Sequence, residues 1–174
     1  IARATNGAFT TGTGSSQPQG IITGASLGKT AASATAIAAD DILDLIHSID
    51  PSYRNKPTFG LMAHDNVIAA IRALGLGSAN DFPIFIPSME AGQPDKLFGY
   101  NIYYNNDMES SIATGNKTLL AADFSKFVVR SAGGVQMVRL NERYMDELEV
   151  GFVSYARKDS KVLDTRAVKY LAQA

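Results

Sequence analysis

The chain contains no cysteine, which removes disulfides, thiolate metal ligation and thiol catalysis in one step. Its only histidines are His47 and His64, too few for a histidine-built metal centre. An excess of charge of one sign is also missing. Lys and Arg number 16 against 17 Asp and Glu, a formal net charge of -1, so no bulk field favours nucleic acid or an anionic membrane. No apolar run approaches the ~20 residues that a helix needs to cross a bilayer. No basic-then-apolar leader opens the sequence. These gaps read as a soluble chain of intracellular origin, and the start at Ile1 without an initiator methionine reads as a processed or trimmed one.

What is present is apolar mass. At 174 residues and 45% hydrophobic content the chain has enough for one compact domain or two small lobes. The organising stretch is Leu97 to Leu140. Its short runs Ile102-Tyr103-Tyr104, Leu119-Leu120-Ala121, Phe127-Val128-Val129 and Val135 to Leu140 are separated by Asn105-Asn106-Asp107, Gly115-Asn116 and Gly133-Gly134. Runs of that length, rich in β-branched and aromatic residues and punctuated by turn formers, predict short strands. Such strands need helices or a second sheet to cover them.

The helices come from the rest of the chain. Ile1 to Phe9 reads as the last turns of a helix, followed by a loop over Thr10 to Gly20 that is dense in Gly, Ser and Gln, with Pro18. Thr23 to Ala39 is small and low in complexity, and is expected to be the most mobile part. Asp40-Asp41 opens a helix, since carboxylates at an N-terminus satisfy free N–H groups and the dipole. Ile42, Leu45, Ile46 and Ile49 follow on one face, and Asp50-Pro51 stops it. Pro57 to Met62 predicts a buried strand. Asp65 caps a second helix with Ile68 and Ile71 inward, and Gly75 and Gly77 end it. Asp81 to Gln93, with Pro83 and Pro87, predicts a loop or an edge segment. Glu149 to Tyr155 alternates like a strand, and Asp164 to Ala172 fits a short helix or a strand equally.

Motifs with chemical promise lose to plainer readings. Gly24-Ala25-Ser26-Leu27-Gly28-Lys29-Thr30 resembles a phosphate-binding loop, but three residues stand between its glycines where four are needed for the N–H groups to wrap phosphates. A flexible small-residue loop is the plainer reading. Gly12-Thr13-Gly14 starts a dinucleotide fingerprint whose third glycine would fall on Gln17. His64-Asp65 is half of a hydrolase relay with no nucleophile elbow to complete it, and reads as a loop end. His47 lies on the polar side of its helix. Glu142, Asp146, Glu147 and Glu149 interleave with Arg139 and Arg143, which predicts a salt-bridged surface. The expected sets of catalytic, cofactor-binding and metal-binding residues are therefore empty, and function is expected to reside in surfaces.

The order of landmarks resembles the C-terminal part of the major capsid protein of tailed bacteriophages, the Hong Kong ninety-seven type. The matching pieces are Gln17-Pro18-Gln19-Gly20-Ile21, Asp41-Ile42 to Tyr53-Arg54, the Phe59 to Met62 strand, Leu97-Phe98-Gly99-Tyr100, Asn106-Asp107-Met108 and Ala122-Asp123-Phe124-Ser125. Phe127 to Arg130, Val135 to Arg139, and the positions Arg157, Asp159, Val162 and Ala167 complete the series.

The resemblance implies an α+β phage capsid fold. An axial lobe with a central mixed sheet flanked by helices would span about 22–132. An elongated peripheral lobe with a narrow antiparallel sheet would combine 1–21 with 133–174. The family's N-terminal arm, extended loop and most of its spine helix would lie upstream of Ile1. The implied function is a structural, non-enzymatic subunit of a bacteriophage or prophage icosahedral shell, made in the bacterial host cytoplasm and ending in the virion. It would assemble with itself into pentamers and hexamers around the DNA genome, with sequence-independent genome contact and no membrane. Scaffolding, protease, portal and decoration proteins are possible further partners. The Asp81 to Asp95 loop and the Asn105 to Asn116 turns would make the contacts around the axis. Some relatives crosslink their shells through an isopeptide bond. Registered on Arg157, the acceptor position falls near Leu148 and the promoting position near Tyr155, neither fit for that chemistry, so non-covalent contacts are expected. The 174 residues alone would be monomeric or weakly associated. The rival readings are an encapsulin-like compartment shell and, from another class, a nucleotide-binding enzyme using Gly24 to Thr30.

Overall fold

A computed structural model of the chain describes residues 2–74, 85–88, 93–143 and 145–174. In chain order the helices and strands begin with α1 (Ala2–Thr11), α2 (Ile21–Gly24), β1 (Ser26–Thr30), α3 (Ala39–His47), α4 (Pro51–Arg54), β2 (Phe59–Ala63) and α5 (Asp65–Leu74). They continue with β3 (Phe85–Ile86), β4 (Lys96–Leu97), β5 (Tyr100–Tyr104), β6 (Lys117–Asp123), β7 (Phe127–Leu140), β8 (Gly151–Val162) and β9 (Val168–Ala172). Two sheets result. Seven strands in the order β1-β9-β6-β2-β5-β4-β3 form a mixed sheet, and β7 and β8 form a separate antiparallel ribbon.

The large sheet is held between two apolar layers. β2 is buried at every position, which is why Phe59 to Ala63 reads as a continuous hydrophobic run. On one face Leu61, Ile102, Leu119, Ala121 and Leu171 pack with Ile42, Leu45 and Ile46 of α3 and Val67, Ile68 and Ile71 of α5. Each fully buried side chain of this size contributes ~1.5–3 kcal/mol of apolar transfer. On the other face Met62, Leu120, Ala122 and Val168 meet Ile21, Ile22, Met108 and Val162. The N-terminus of α3 forms as its acidic opening predicts. Asp41 is buried and its carboxylate accepts at 3.3 Å from the N–H of Ala38, the N-cap, and at 3.3 Å from that of Ala32, which ties the preceding segment to the helix start.

Several expectations are corrected. Thr23 to Ala39 is not loose throughout, because Ser26–Thr30 forms β1, paired in parallel with β9 from Ser26↔Lys169 to Thr30↔Ala172, while residues 31–38 form no helix or strand. Gly133-Gly134 does not separate two strands. β7 runs through it, and Gly133 adopts φ +75° where the register slips between Ala132 and Gln136, so the pair makes a bulge. Asp164 to Ala172 resolves into a 3-10 turn over Thr165–Ala167 and then β9. Phe85–Ile86, by contrast, keeps the expected edge placement, as the last strand of the large sheet. The helix end expected at Gly75 and Gly77, and most of the Asp81 to Gln93 segment, lie outside the described residues.

The split expected between 132 and 133 falls inside β7. The tail that was expected with the peripheral lobe supplies β9, which lies between β1 and β6 in the large sheet.

Candidate assembly surfaces

The ribbon is exposed at most of its positions. β7 has 14 residues and β8 has 12, so at ~3.3 Å per residue it reaches roughly 45 Å. Paired residues in an antiparallel ladder share a face. Val138 opposes Val153 and Gln136 opposes Tyr155 on one face, whereas Met137 and Phe152 lie on the other, opposite Ser154 and Arg139. Met137 is 68% exposed and Phe152 64%, with Val138, Val153 and Tyr155 also open to solvent. Both faces thus leave large apolar side chains uncovered, and an isolated two-stranded ribbon is marginal in water by itself. Clustered exposed apolar surface of this kind marks an interaction site.

The base of the ribbon is tied to the α1–α2 connection. Gln19 donates its N–H to the Ser160 carbonyl at 3.1 Å, and Ser160 Oγ donates to the Gln19 carbonyl at 2.8 Å. Gln19 Oε1 accepts from the Val162 N–H at 3.3 Å. Phe9 meets Phe127 edge-on with ring centroids 6.3 Å apart. Ala4, Ala8 and Phe9 of α1 line an open cleft with Ser154, Ala156 and Lys158 of β8.

The segments expected to contact an axis are anchored at their roots. Asp95 accepts from Arg72 Nη2 at 2.7 Å, from the Ser88 N–H at 2.7 Å and from the Tyr104 hydroxyl. Burial and the hydrogen bond to Asp95 push the Tyr104 hydroxyl up to about 12. The Tyr104 and Arg72 hydrogen bonds hold Asp95 below the usual carboxylate range. At the start of the second segment Asn105 is buried against α1.

The motifs weighed for chemistry are placed as follows. Gly24 to Thr30 contributes β1, not a phosphate cradle. Lys29 pairs with Asp44 at 2.6 Å, and a Cβ on Gly28 would lie 2.6 Å from Leu45 Cδ1 and 2.9 Å from Ser48 Oγ, so close packing of α3 on the strand demands that glycine. The flexible-loop reading fails for Ser26–Thr30, and a strand there lacks the loop-then-helix geometry that a phosphate cradle needs. His64 Nδ1 accepts from the Asn66 N–H at 3.1 Å at the start of α5, a helix-entry contact. His47 Nδ1 lies 3.1 Å from Arg54 Nη1. Arg139, Glu142 and Arg143 line a shallow surface at the end of β7. Leu148 is 95% exposed at φ +56°, and the Tyr155 hydroxyl donates to Gln136 Oε1. Among the described residues no group of three or more His, Asp or Glu could hold a metal ion. Among them, too, no helix is long and apolar enough to cross a membrane.

Sequence reasoning missed the ribbon as one continuous element, because the glycine pair at its bulge imitates a turn. It also missed Asp123, Asp164 and Tyr53, whose roles depend on contacts between distant segments.

The described residues thus combine a helix-covered mixed sheet with a long, exposed antiparallel ribbon. The sequence profile of the phage capsid family matches residues 1–172, and the chain belongs to that family. Among solved structures, the capsid of an empty GTA particle superposes with a TM-score of 0.82 at 24% identity, over 99% of this chain and 62% of that one. Gordonia phage Cozz gives 0.67 at 14% identity, over 99% and 59%. The SrpI encapsulin of Synechococcus elongatus gives 0.61 at 15% identity, over 98% and 60%. The chain therefore spans about three fifths of the length of these structures. No curated protein matches its sequence.

Proposed function

We propose that this chain is a structural subunit of a bacteriophage or prophage icosahedral capsid, working by self-association without a reacting centre. The observation that carries the reading is the ribbon, whose apolar side chains stand uncovered on both faces. Membership of the phage capsid family supports a shell as the assembly those faces complete. Closed symmetry multiplies modest contacts with several neighbours into a stable whole, and a net charge of -1 keeps like-charge repulsion between copies small. Pentamers and hexamers enclosing DNA in the virion, assembled in the host cytoplasm, follow from this reading. So do non-covalent contacts, which an aliphatic Leu148 and a phenolic Tyr155 at the crosslinking positions favour.

We also divide the subunit into an axial lobe of residues 22–126 with 163–174 and a peripheral lobe of 1–21 with 127–162. The pairing of β9 with β1 and β6 supports moving the tail inward. Scaffolding, protease, portal and decoration proteins are the further partners this assignment allows, with genome contact independent of sequence. The 174-residue chain alone is monomeric or weakly associated.

An encapsulin-like compartment is the second reading, favoured by the SrpI superposition. Expression of the full-length gene product with its protease, followed by electron microscopy, tests the assignment. Closed shells are expected, and a product that stays monomeric at high concentration would contradict it. Nucleic acid inside purified shells separates the capsid from a compartment filled with enzyme cargo.

A further inference from the structure

The chain passes between the large sheet and the ribbon twice, and both crossings are built alike. After β6, Asp123 opens a 3-10 turn over Phe124–Lys126 by accepting from the Ser125 N–H at 3.1 Å. After β8, Asp164 opens a 3-10 turn over Thr165–Ala167 by accepting from the Arg166 N–H at 3.0 Å. The two crossings touch, since the Leu163 N–H donates to the Lys126 carbonyl at 2.9 Å.

One short segment, residues 53–58 running from the last turn of α4 to the start of β2, grips both. Thr58 Oγ1 donates to Asp123 Oδ1 at 2.6 Å, and Lys56 Nζ lies 3.2 Å from Asp123 Oδ2. The Tyr53 hydroxyl donates to Asp164 Oδ2 at 2.7 Å. The Lys56 ammonium also sits 5.4 Å over the Tyr53 ring, so the two grips share a side-chain stack. A backbone bond fixes the segment itself to the first crossing, from the Phe124 N–H to the Thr58 carbonyl at 3.1 Å. The Asp123 side chain is wholly shielded from solvent. A buried carboxylate of this kind is stable only when its oxygens are satisfied, so the junction is over-determined at that point.

We propose that residues 53–58 are a two-point latch that sets the angle between the ribbon and the large sheet, gripping one carboxylate at each crossing. A two-strand hinge held on one strand alone can still pivot about the other, whereas gripping both carboxylates from a common segment removes that freedom. The device goes beyond the shell assignment and belongs to the single folded chain. A subunit that must present its ribbon to neighbours at a defined angle gains that angle before association.

The absence of cysteine makes the test direct. Spin labels at Glu109→Cys, beside the large sheet, and at Glu142→Cys, at the far end of the ribbon, report the angle as a distance distribution in the dilute full chain. The native chain should give a single narrow distance. Tyr53→Phe combined with Asp123→Asn should lose it to a broad distribution at temperatures where circular dichroism shows the fold intact, while Lys29→Ala, away from the junction, should leave it unchanged. If the Asp123 variant does not fold, Tyr53→Phe combined with Asp164→Asn releases the second grip alone and should also broaden the distance. An unchanged narrow distance in the folded latch variants, or equal broadening in the Lys29 control, overturns the latch. Since the measurement is made on unassociated chains, a failed latch and a failed shell assignment are read separately.

Discussion

Asn105 Nδ2 donates to Thr10 Oγ1 at 2.8 Å, joining the turn after β5 to helix α1 across 95 positions of sequence. The same amide accepts through Oδ1 from Asn6 Nδ2 at 2.9 Å and from the Asp107 N–H at 3.1 Å. Thr10 closes the contact locally by donating to the Asn6 carbonyl at 2.8 Å. Both residues are buried. Removing one member of a buried polar set strands the rest, at a cost of about 1–3 kcal/mol. Asn105→Ala should therefore lower the thermal midpoint by ~2–12 °C. Thr10→Ala should add much less in that background than alone, because the two share one network. Additive losses in the double variant would show that the residues act separately.

Asp123 gives the molecule an acid-sensitive point. Its burial would raise the carboxyl, but hydrogen bonds from Thr58, Ser125 and Lys56 outweigh that and bring it down to about 2. A carboxyl with a folded value below its ordinary 3.8 adds stability above 3.8 and loses it as pH falls towards 2. The stability at stake is on the order of 2 kcal/mol, the free-energy equivalent of that lowering. Urea unfolding of the native chain should show a falling midpoint between those pH values. Asp123→Asn should start lower and show a shallower fall, and parallel curves would refute the assignment.

Gly28 and Lys29 separate packing from nucleotide chemistry within one short strand. Gly28→Ala drives a Cβ to within 2.6 Å of Leu45 and 3.1 Å of Lys169 Cβ, and overpacking of this kind costs about 1–3 kcal/mol. Lys29 holds only an exposed pair with Asp44, so Lys29→Ala should leave the melting curve nearly unchanged. A phosphate loop predicts the reverse weighting, with Lys29→Ala abolishing nucleotide binding. Thermal shift with and without ATP and magnesium distinguishes the two, and a stabilisation by ATP that Lys29→Ala removes would restore the nucleotide site.

The legible parts of the sequence are those where a local pattern and its burial agree. Ile42, Leu45 and Ile46 fall at helical spacing behind Asp40-Asp41, and α3 forms there with those residues inward. The buried strand expected over Pro57 to Met62 forms as Phe59–Ala63, two residues later at its start and one at its end, with every position covered. β1 is hidden because Ser26-Leu27-Gly28-Lys29-Thr30 has no apolar run, and its strand state is imposed by β9 and α3 from other parts of the chain. The C-terminal strand is ambiguous for a related reason, since Val168-Lys169-Tyr170-Leu171-Ala172 gains its state from β6 and β1 on either side. The junction of Tyr53, Lys56, Asp123 and Asp164 leaves no sequence signal, because it joins residues as much as 111 positions apart that no local pattern relates.

Phe152 and Met137 test whether the ribbon's apolar faces serve association. Both stand on the same face near the far end of the ribbon and are more than three fifths exposed, so neither contributes appreciably to the core of the isolated chain. Phe152→Glu and Met137→Glu should therefore leave its stability within about the ±0.5 kcal/mol of ordinary surface changes. In a shell the same substitutions place a carboxylate against a neighbour's surface, where an unpaired charge costs several kcal/mol. The full-length protein carrying both should stay unassembled in sedimentation while the native protein forms closed particles. A conservative Phe152→Leu should retain assembly, because it keeps apolar area on the same face. If the doubly substituted protein assembles as well as the native one, that face is not a contact surface.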